Sequence, residues 1–180
     1  MKKYLSVIPL VFLLCFVVGC QDKAAMAELE KFKAQAALEE QNTNIVKNMF
    51  EAWDRGNFEA VRELLSPDFK FYSPAITKEP RSLEEHIEFG KSLQLGFPDN
   101  KWIIEELISV GNKTAVRYIF RGTHLGEFQG RPATGNIQEL SGMGFYTVEN
   151  GKIIEAKEEF DELNAMLFLG FELKPKEAGK

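Results

Sequence analysis

Two strand-like runs, 137–148 and 153–160, flank Asn150-Gly151. Asn-Gly suits a two-residue hairpin turn, because both central positions need positive φ. The pair therefore predicts an antiparallel hairpin and pins its register. Two further strand-like runs, 102–110 and 114–121, precede it and are joined through Gly111-Asn112-Lys113. Upstream the period changes to that of a helix. Ile45, Val46, Met49, Phe50 and Trp53 make one apolar face that Gly56 stops. Asn57 can cap a second helix with Phe58, Val61, Leu64 and Leu65 inward, ended by Ser66-Pro67-Asp68. A short strand over 69–73 and a loop with Pro74 and Pro80 follow. Ser82-Leu83-Glu84-Glu85 is a capping box that opens a third helix running to about Leu95. Gly96-Phe97-Pro98-Asp99 ends it, and a short last helix over 161–169 is closed by Gly170. Helices first and long antiparallel strands after them predict an α+β domain, with the helices covering one face of a strongly curved, mostly antiparallel sheet.

The N-terminus is of another kind. Lys2 and Lys3 precede an apolar run over 4–18 that ends Val17-Val18-Gly19-Cys20, with polar Gln21-Asp22-Lys23 after it. A charged start, an apolar stretch and small residues before a cleavage point are the parts of a secretory signal. The run is shorter than the ~20 residues a membrane-spanning helix needs. Its ending resembles a bacterial lipobox, which implies a signal over 1–19 and acylation of Cys20 as the new N-terminus. That in turn implies a lipid-anchored protein of the bacterial cell envelope. Gln21 after the cysteine resembles the outer-membrane sorting choice, on the periplasmic side, if the host is Gram-negative, and the outer face of the cell membrane otherwise.

Residues 24–40 lack Gly and Pro and are rich in Ala, Glu, Lys and Leu, so 20–41 reads as a helical stalk. Met26, Leu29, Phe32 and Ala36 give it a thin apolar stripe. The domain then occupies 42–172, and 173–180 is a polar tail. The formal net charge is -5 and becomes more negative once Lys2 and Lys3 are removed. Such a chain does not suit nucleic acid. The two cysteines are Cys15 and Cys20, so the domain has no disulfide, thiolate metal site or cysteine nucleophile. Two histidines without metal-ligand spacing predict no metal, and no phosphate loop, dinucleotide fingerprint or nucleophile elbow predicts a cofactor.

Residues 121–135 read Arg-Gly-Thr-His-Leu-Gly-Glu-Phe-Gln-Gly-Arg-Pro-Ala-Thr-Gly. This resembles the RGTHxGEFxGxPPTG segment of the SnoaL-like polyketide cyclases, or ester cyclases, of the nuclear transport factor 2-like superfamily. Ala52 to Phe58 is similar to that family's first helix-turn-helix, Leu64 to Phe69 to its LLxPDF, Phe97-Pro98-Asp99 to its FPD and Gly151 to Glu155 to its GKIVE. The resemblance covers about 42–170. It implies a cone-shaped fold whose hollow holds an aromatic ester, with a carboxylate of the last strand handling the proton of an intramolecular aldol closure. The family's last strand, GKIVEHWDVVD, has Ala156 here in place of its His and Glu158 in place of its Asp.

Alternation alone puts Ile154, Ala156, Glu158 and Phe160 on one face of that strand and Ile153, Glu155, Lys157 and Glu159 on the other. The first set is apolar apart from Glu158, which predicts a carboxyl projecting into the hollow and competent for acid–base work. His124 is the second catalytic candidate, either as a proton shuttle or as the group that holds its glycine-rich loop. His86 reads as a solvated helix residue. Trp53, Phe71, Trp102, Tyr118, Phe120 and Phe145 are the candidate walls of an apolar ligand site. Two functions are compatible with these residues. One is a membrane-anchored domain that binds a small apolar or aromatic carbonyl or ester compound, with cofactor-free cyclase- or isomerase-like chemistry through Glu158. The other is a ligand-binding or assembly lipoprotein without turnover, in which Arg117, Arg121, Glu155, Lys157 and Glu159 of the outer sheet face form a homodimer contact.

Overall fold

The computed structural model describes residues 7–73, 79–172 and 174, with side chains from residue 23 onward. The signal's first residues, part of the Pro74–Pro80 loop and most of the tail lie outside the described residues. So does the side chain of Cys20. The chain divides into one unit up to Leu38 and another from Glu39. Helix α1 (Val7–Asp54) has no break where a stalk was expected to hand over to a separate first helix. Every described side chain from 23 to 38 is exposed, the stripe residues Met26, Leu29 and Phe32 included. Among the described residues no helix is long and apolar enough to cross a membrane.

Within the second unit the elements follow the sequence closely. Ile45, Val46, Met49 and Phe50 of α1 are buried. Helix α2 (Phe58–Leu64) is capped by Asn57, whose side chain accepts from the Ala60 amide at 3.1 Å. Strand β1 (Leu65–Tyr72) begins earlier than expected, since Ser66-Pro67-Asp68 lies inside it, at a register shift between Leu65 and Lys70. Pro67 lacks an amide hydrogen to give a ladder, so it sits where pairing is interrupted. After the short β2 (Arg81–Ser82), helix α3 (Leu83–Gly96) opens on the expected capping box. Then come β3 (Lys101–Val110), β4 (Lys113–Thr123), β5 (Ile137–Glu149), β6 (Lys152–Phe160) and α4 (Glu162–Phe168). Asn150 and Gly151 both take positive φ, 50° and 75°, as the hairpin turn requires.

The six strands form one sheet in the order β2-β1-β6-β5-β4-β3. All neighbours are antiparallel except β1 and β6, which run parallel. One buried cluster joins α1, α2 and α3 to the sheet around Val46, Phe50, Val61, Phe69, Ile87 and Ile153. A second gathers Phe97, Phe120, Phe128 and Leu169 beneath the loop after β4. The alternation expected along β6 fails at one point. Thr147 pairs with Glu155 but Val148 pairs with Ile153, so Ile154 is an extra residue at a bulge. The bulge turns Ile153 inward, where it is fully buried, and leaves Ile154 half-buried. Beyond it the expected phase holds, with Ala156 buried and Lys157 and Glu159 exposed.

Candidate functional site

Glu158 lies on β6 between Ala156 and Phe160 on the concave side of the sheet. Tyr118 of β4 donates its hydroxyl to Glu158 Oε2 at 2.9 Å, and Tyr146 of β5 donates a short hydrogen bond to Oε1. Three neighbouring strands thus converge on one carboxyl. They can do so because the central strand has no side chain in the way. Gly144 is paired with Glu158, and Gly142 with Tyr118 and Phe160. A Cβ at Gly144 would lie 2.9 Å from Glu158 Cγ, and one at Gly142 would lie 2.6 Å from Tyr118 Cζ.

The constellation opens on a hollow of about 250 Å³. Its helical wall is Met49, Phe50 and Trp53 of α1 with His86, Phe89 and Leu93 of α3; Ala165, Met166 and Leu169 in and after α4 also border it. The apolar surroundings push the Glu158 carboxyl above its ordinary range, against the two tyrosine hydrogen bonds that favour the anion. Burial, then the adjacent carboxyl, raises both tyrosines, so their hydroxyls stay protonated and act as donors. The side chain is enclosed by protein on most sides yet presents part of its surface to the hollow.

Of the residues named from the sequence, Trp53, Phe71, Trp102, Tyr118, Phe120 and Glu158 all border this hollow. Phe145 does not. It is 58% exposed on the outer sheet face, paired with Ala115 and Lys157, because the inward positions of β5 are Gly142, Gly144 and Tyr146. His124 is also away from it. Its ring is fully buried, stacks on Phe97 at 5.1 Å and meets Thr134 Oγ1 at 3.2 Å through Nδ1. Its backbone bonds to Asn136 and Gly135 close the neck of the loop. The structure therefore gives His124 the loop-holding position. The glycine at 126 is needed there, because a Cβ would lie 2.1 Å from the Leu95 carbonyl oxygen.

Sequence reasoning passes over Tyr146 and misplaces His86. Tyr146 is buried and shares the carboxyl, and its signal was the strict alternation Gly142, Gly144, Tyr146 along β5. His86, read as solvated, lines the hollow and stacks on Phe71 at 4.5 Å, with Trp53 at 5.2 Å. Its spacing from Leu83 and Gly90, three and four residues away, puts it on the buried face of α3. Burial, with Arg81 nearby, drops the imidazole to about 3, so the ring is neutral. Among the described residues no group of His, Cys, Asp and Glu could hold a metal.

The same fold occurs in solved structures. IdmH of Streptomyces antibioticus, provisionally described as a polyketide cyclase, is 29% identical over 73% of this chain and 99% of its own, with a TM-score of 0.64. AclR of Streptomyces galilaeus, provisionally described as a hydroxylase, is 21% identical over 73% of this chain and 97% of its own, at 0.67. A SnoaL-like polyketide cyclase of Agrobacterium tumefaciens is 19% identical over 72% and 98%, at 0.59. The last two identities carry the fold alone. No curated protein sequence matches the chain. The family model described as SnoaL-like polyketide cyclase matches residues 43–167, a span that takes in α2, α3, the whole sheet and the carboxyl at its centre, and on that match the chain belongs to the SnoaL-like polyketide cyclase family.

Proposed function

We propose that this protein binds a small apolar or aromatic carbonyl or ester compound in the hollow and moves a proton on it through Glu158, without a cofactor. The observation that carries this reading is the carboxyl held between two tyrosyl hydroxyls at an apolar hollow. A carboxylate of raised pKa is a better base at working pH. Tyr118 or Tyr146 can turn its hydrogen from the carboxyl to a ligand oxygen as negative charge develops there. Glu158, relieved of that hydrogen bond, becomes more basic at the same moment. The volume limits the ligand. A cavity of ~150 Å³ holds benzene, so about 250 Å³ suits one substituted ring or two fused rings.

The test uses the full-length protein and an aromatic β-keto ester. Deuterium exchange at its acidic carbon, followed by NMR, is expected to be accelerated by the protein and to fall by about 10²-fold in Glu158→Gln, the usual scale of a general base. Exchange unaffected by that change removes Glu158 from the chemistry. A second reading, binding without turnover, is favoured by the fact that both Glu158 oxygens are already occupied and that Ala156 stands where the family has histidine. It predicts saturable binding with no exchange.

We also place the protein at the cell envelope, tethered by lipid on Cys20. The outer sheet face exposes Ile108, Met143 and Phe145, which supports self-association there. Its charges are partly matched within the chain, Arg117 to Glu105 at 2.7 Å and Lys157 to Glu155 at 3.0 Å. Phe145→Glu is expected to shift any dimer in equilibrium sedimentation to monomer, and an unchanged mass removes this face from assembly.

A further inference from the structure

Glu158 owes its place to a glycine opposite it, and β5 repeats that arrangement toward its other end. Gln138 of β5 is paired with Gly122 of β4, so no side chain of that strand covers it. On the other side β6 ends at Phe160, opposite Gly142, and gives residue 138 no partner. Gln138 is only 4% exposed, yet it borders the hollow, next to Leu140 and Phe120, which are paired with each other. Its Nε2 is enclosed without a hydrogen-bond partner. Its Oε1 is not enclosed in that way, and it too has no partner among the described residues. The accessible polar atom of this side chain is therefore its amide oxygen.

An amide among apolar side chains with neither atom paired is costly, and a ligand group that pairs with it recovers that cost. Half a turn about the last side-chain bond exchanges its nitrogen and oxygen, so the amide can present an acceptor or a donor. A hydroxyl matches both, because it donates and accepts. The strand register places this amide relative to the tyrosine–carboxyl constellation. The Tyr118 hydroxyl lies over Gly142, 2.7 Å from where a Cβ would be. Gln138 is four residues further along β5, ~13 Å at ~3.3 Å per residue. A ligand that spans the two, with a hydrogen bond of ~2.9 Å at each end, has its oxygens about 7 Å apart. That is the span from a carbonyl to a hydroxyl on the opposite side of one aromatic ring. We propose that Gln138 selects a ligand with a hydroxyl at the end remote from its reacting carbonyl, so that the hollow prefers a phenolic ketone or ester to its unsubstituted parent. The assignment rests on the hollow being the ligand site and adds the hydroxyl to the class of compound it takes. A parent compound lacking the hydroxyl leaves the amide unpaired, which is how a site built around a hydrogen bond rejects an apolar analogue.

The experiment compares 6-hydroxy-1-tetralone with 1-tetralone on the full-length protein by isothermal titration calorimetry. The hydroxylated probe is expected to bind about tenfold more tightly, the scale of one hydrogen bond to an otherwise unpaired buried group. Gln138→Met keeps the length of the side chain and removes the amide. It should bring the two probes level and leave 1-tetralone within about twofold of its original affinity, because the lost interaction is specific to the hydroxyl. Equal affinities in the unaltered protein overturn the role of Gln138 and leave the hollow as a ligand site. So does a preference that survives Gln138→Met, which assigns the hydroxyl to another group, and so does an equal loss of both probes. Saturable binding of neither probe overturns both readings. If Gln138→Met does not fold by circular dichroism, Gln138→Asn decides. It withdraws the amide by one methylene, so a fall in the hydroxyl preference supports the assignment and an unaltered preference overturns it.

Discussion

Glu158 and His86 face the same hollow and respond to burial in opposite ways. Desolvation raises the carboxyl above its ordinary value of 4.5, so the folded protein holds a proton that the unfolded chain releases. Stability is therefore expected to fall as pH rises above 4.5, and to level off once pH passes the folded value. The imidazole goes the other way, from 6.5 to about 3, so between those values the unfolded chain holds the extra proton and stability is lost as pH falls. Urea midpoints across pH separate the two. Glu158→Gln should abolish the falling limb on the neutral side, because an amide still accepts from one tyrosine and donates to the other but cannot ionise. His86→Gln should flatten the acid limb by an amount on the order of several kcal/mol at its foot. Limbs identical to those of the unaltered protein in both variants would show that neither group is desolvated as its position implies.

At the scale of elements, one position sets two rules against each other. Gly90 lies inside α3, where alanine is better by about 1 kcal/mol on helix propensity. Yet a Cβ there would lie 2.1 Å from Trp53 Cζ3 and 2.7 Å from Cη2. Overpacking of this kind costs about 1–3 kcal/mol, so the clash wins. Gly90→Ala is expected to destabilise the domain by up to about 2 kcal/mol net and to push Trp53 into the hollow, weakening ligand binding. A gain in melting temperature would show that Trp53 has room to move aside. Nor does the sequence pattern announce this contact, which joins helices distant in the chain.

What was legible follows the same line. Local chemistry marked the Asn57 cap, the Ser82–Glu85 box and the Asn150-Gly151 turn, because each is settled within a few residues. Uniform alternation marked β4, where every inward residue is buried. Reading broke down where a non-local fact intervened. Ile153 turns inward because β6 bulges against β5, and Pro67 is inside β1 because β1 finds a parallel partner far along the chain. Aromaticity alone suggests a wall position for Phe145, but the phase set by Gly142, Gly144 and Tyr146 sends it outward. For His86, charged neighbours Glu84, Glu85 and Glu88 masked a three-residue step from Leu83 onto the buried face.

For the whole molecule, the division at Leu38 has a consequence for the tether we propose at Cys20. Both buried clusters draw only on residues from Ile45 onward, and no described side chain from 23 to 38 is covered. At the start of the second unit Glu39 accepts from the Gly111 amide at 2.9 Å, and Asn42 donates to the Gly111 carbonyl at 2.9 Å. Removing what precedes Glu39 takes away no member of either buried cluster, and surface changes away from special contacts stay within about 0.5 kcal/mol. A chain beginning at Glu39 is therefore expected to melt within a few degrees of the full-length protein and to act on the aromatic β-keto ester to the same extent, while it leaves the membrane fraction. Cys20→Ser in the full-length chain should reproduce the change in fractionation and nothing else. Co-sedimentation of Cys20→Ser with membranes would remove lipid as the anchor. A large loss of stability in the shortened chain would mean that the first unit packs on the domain, and that α1 does more than lead up to it.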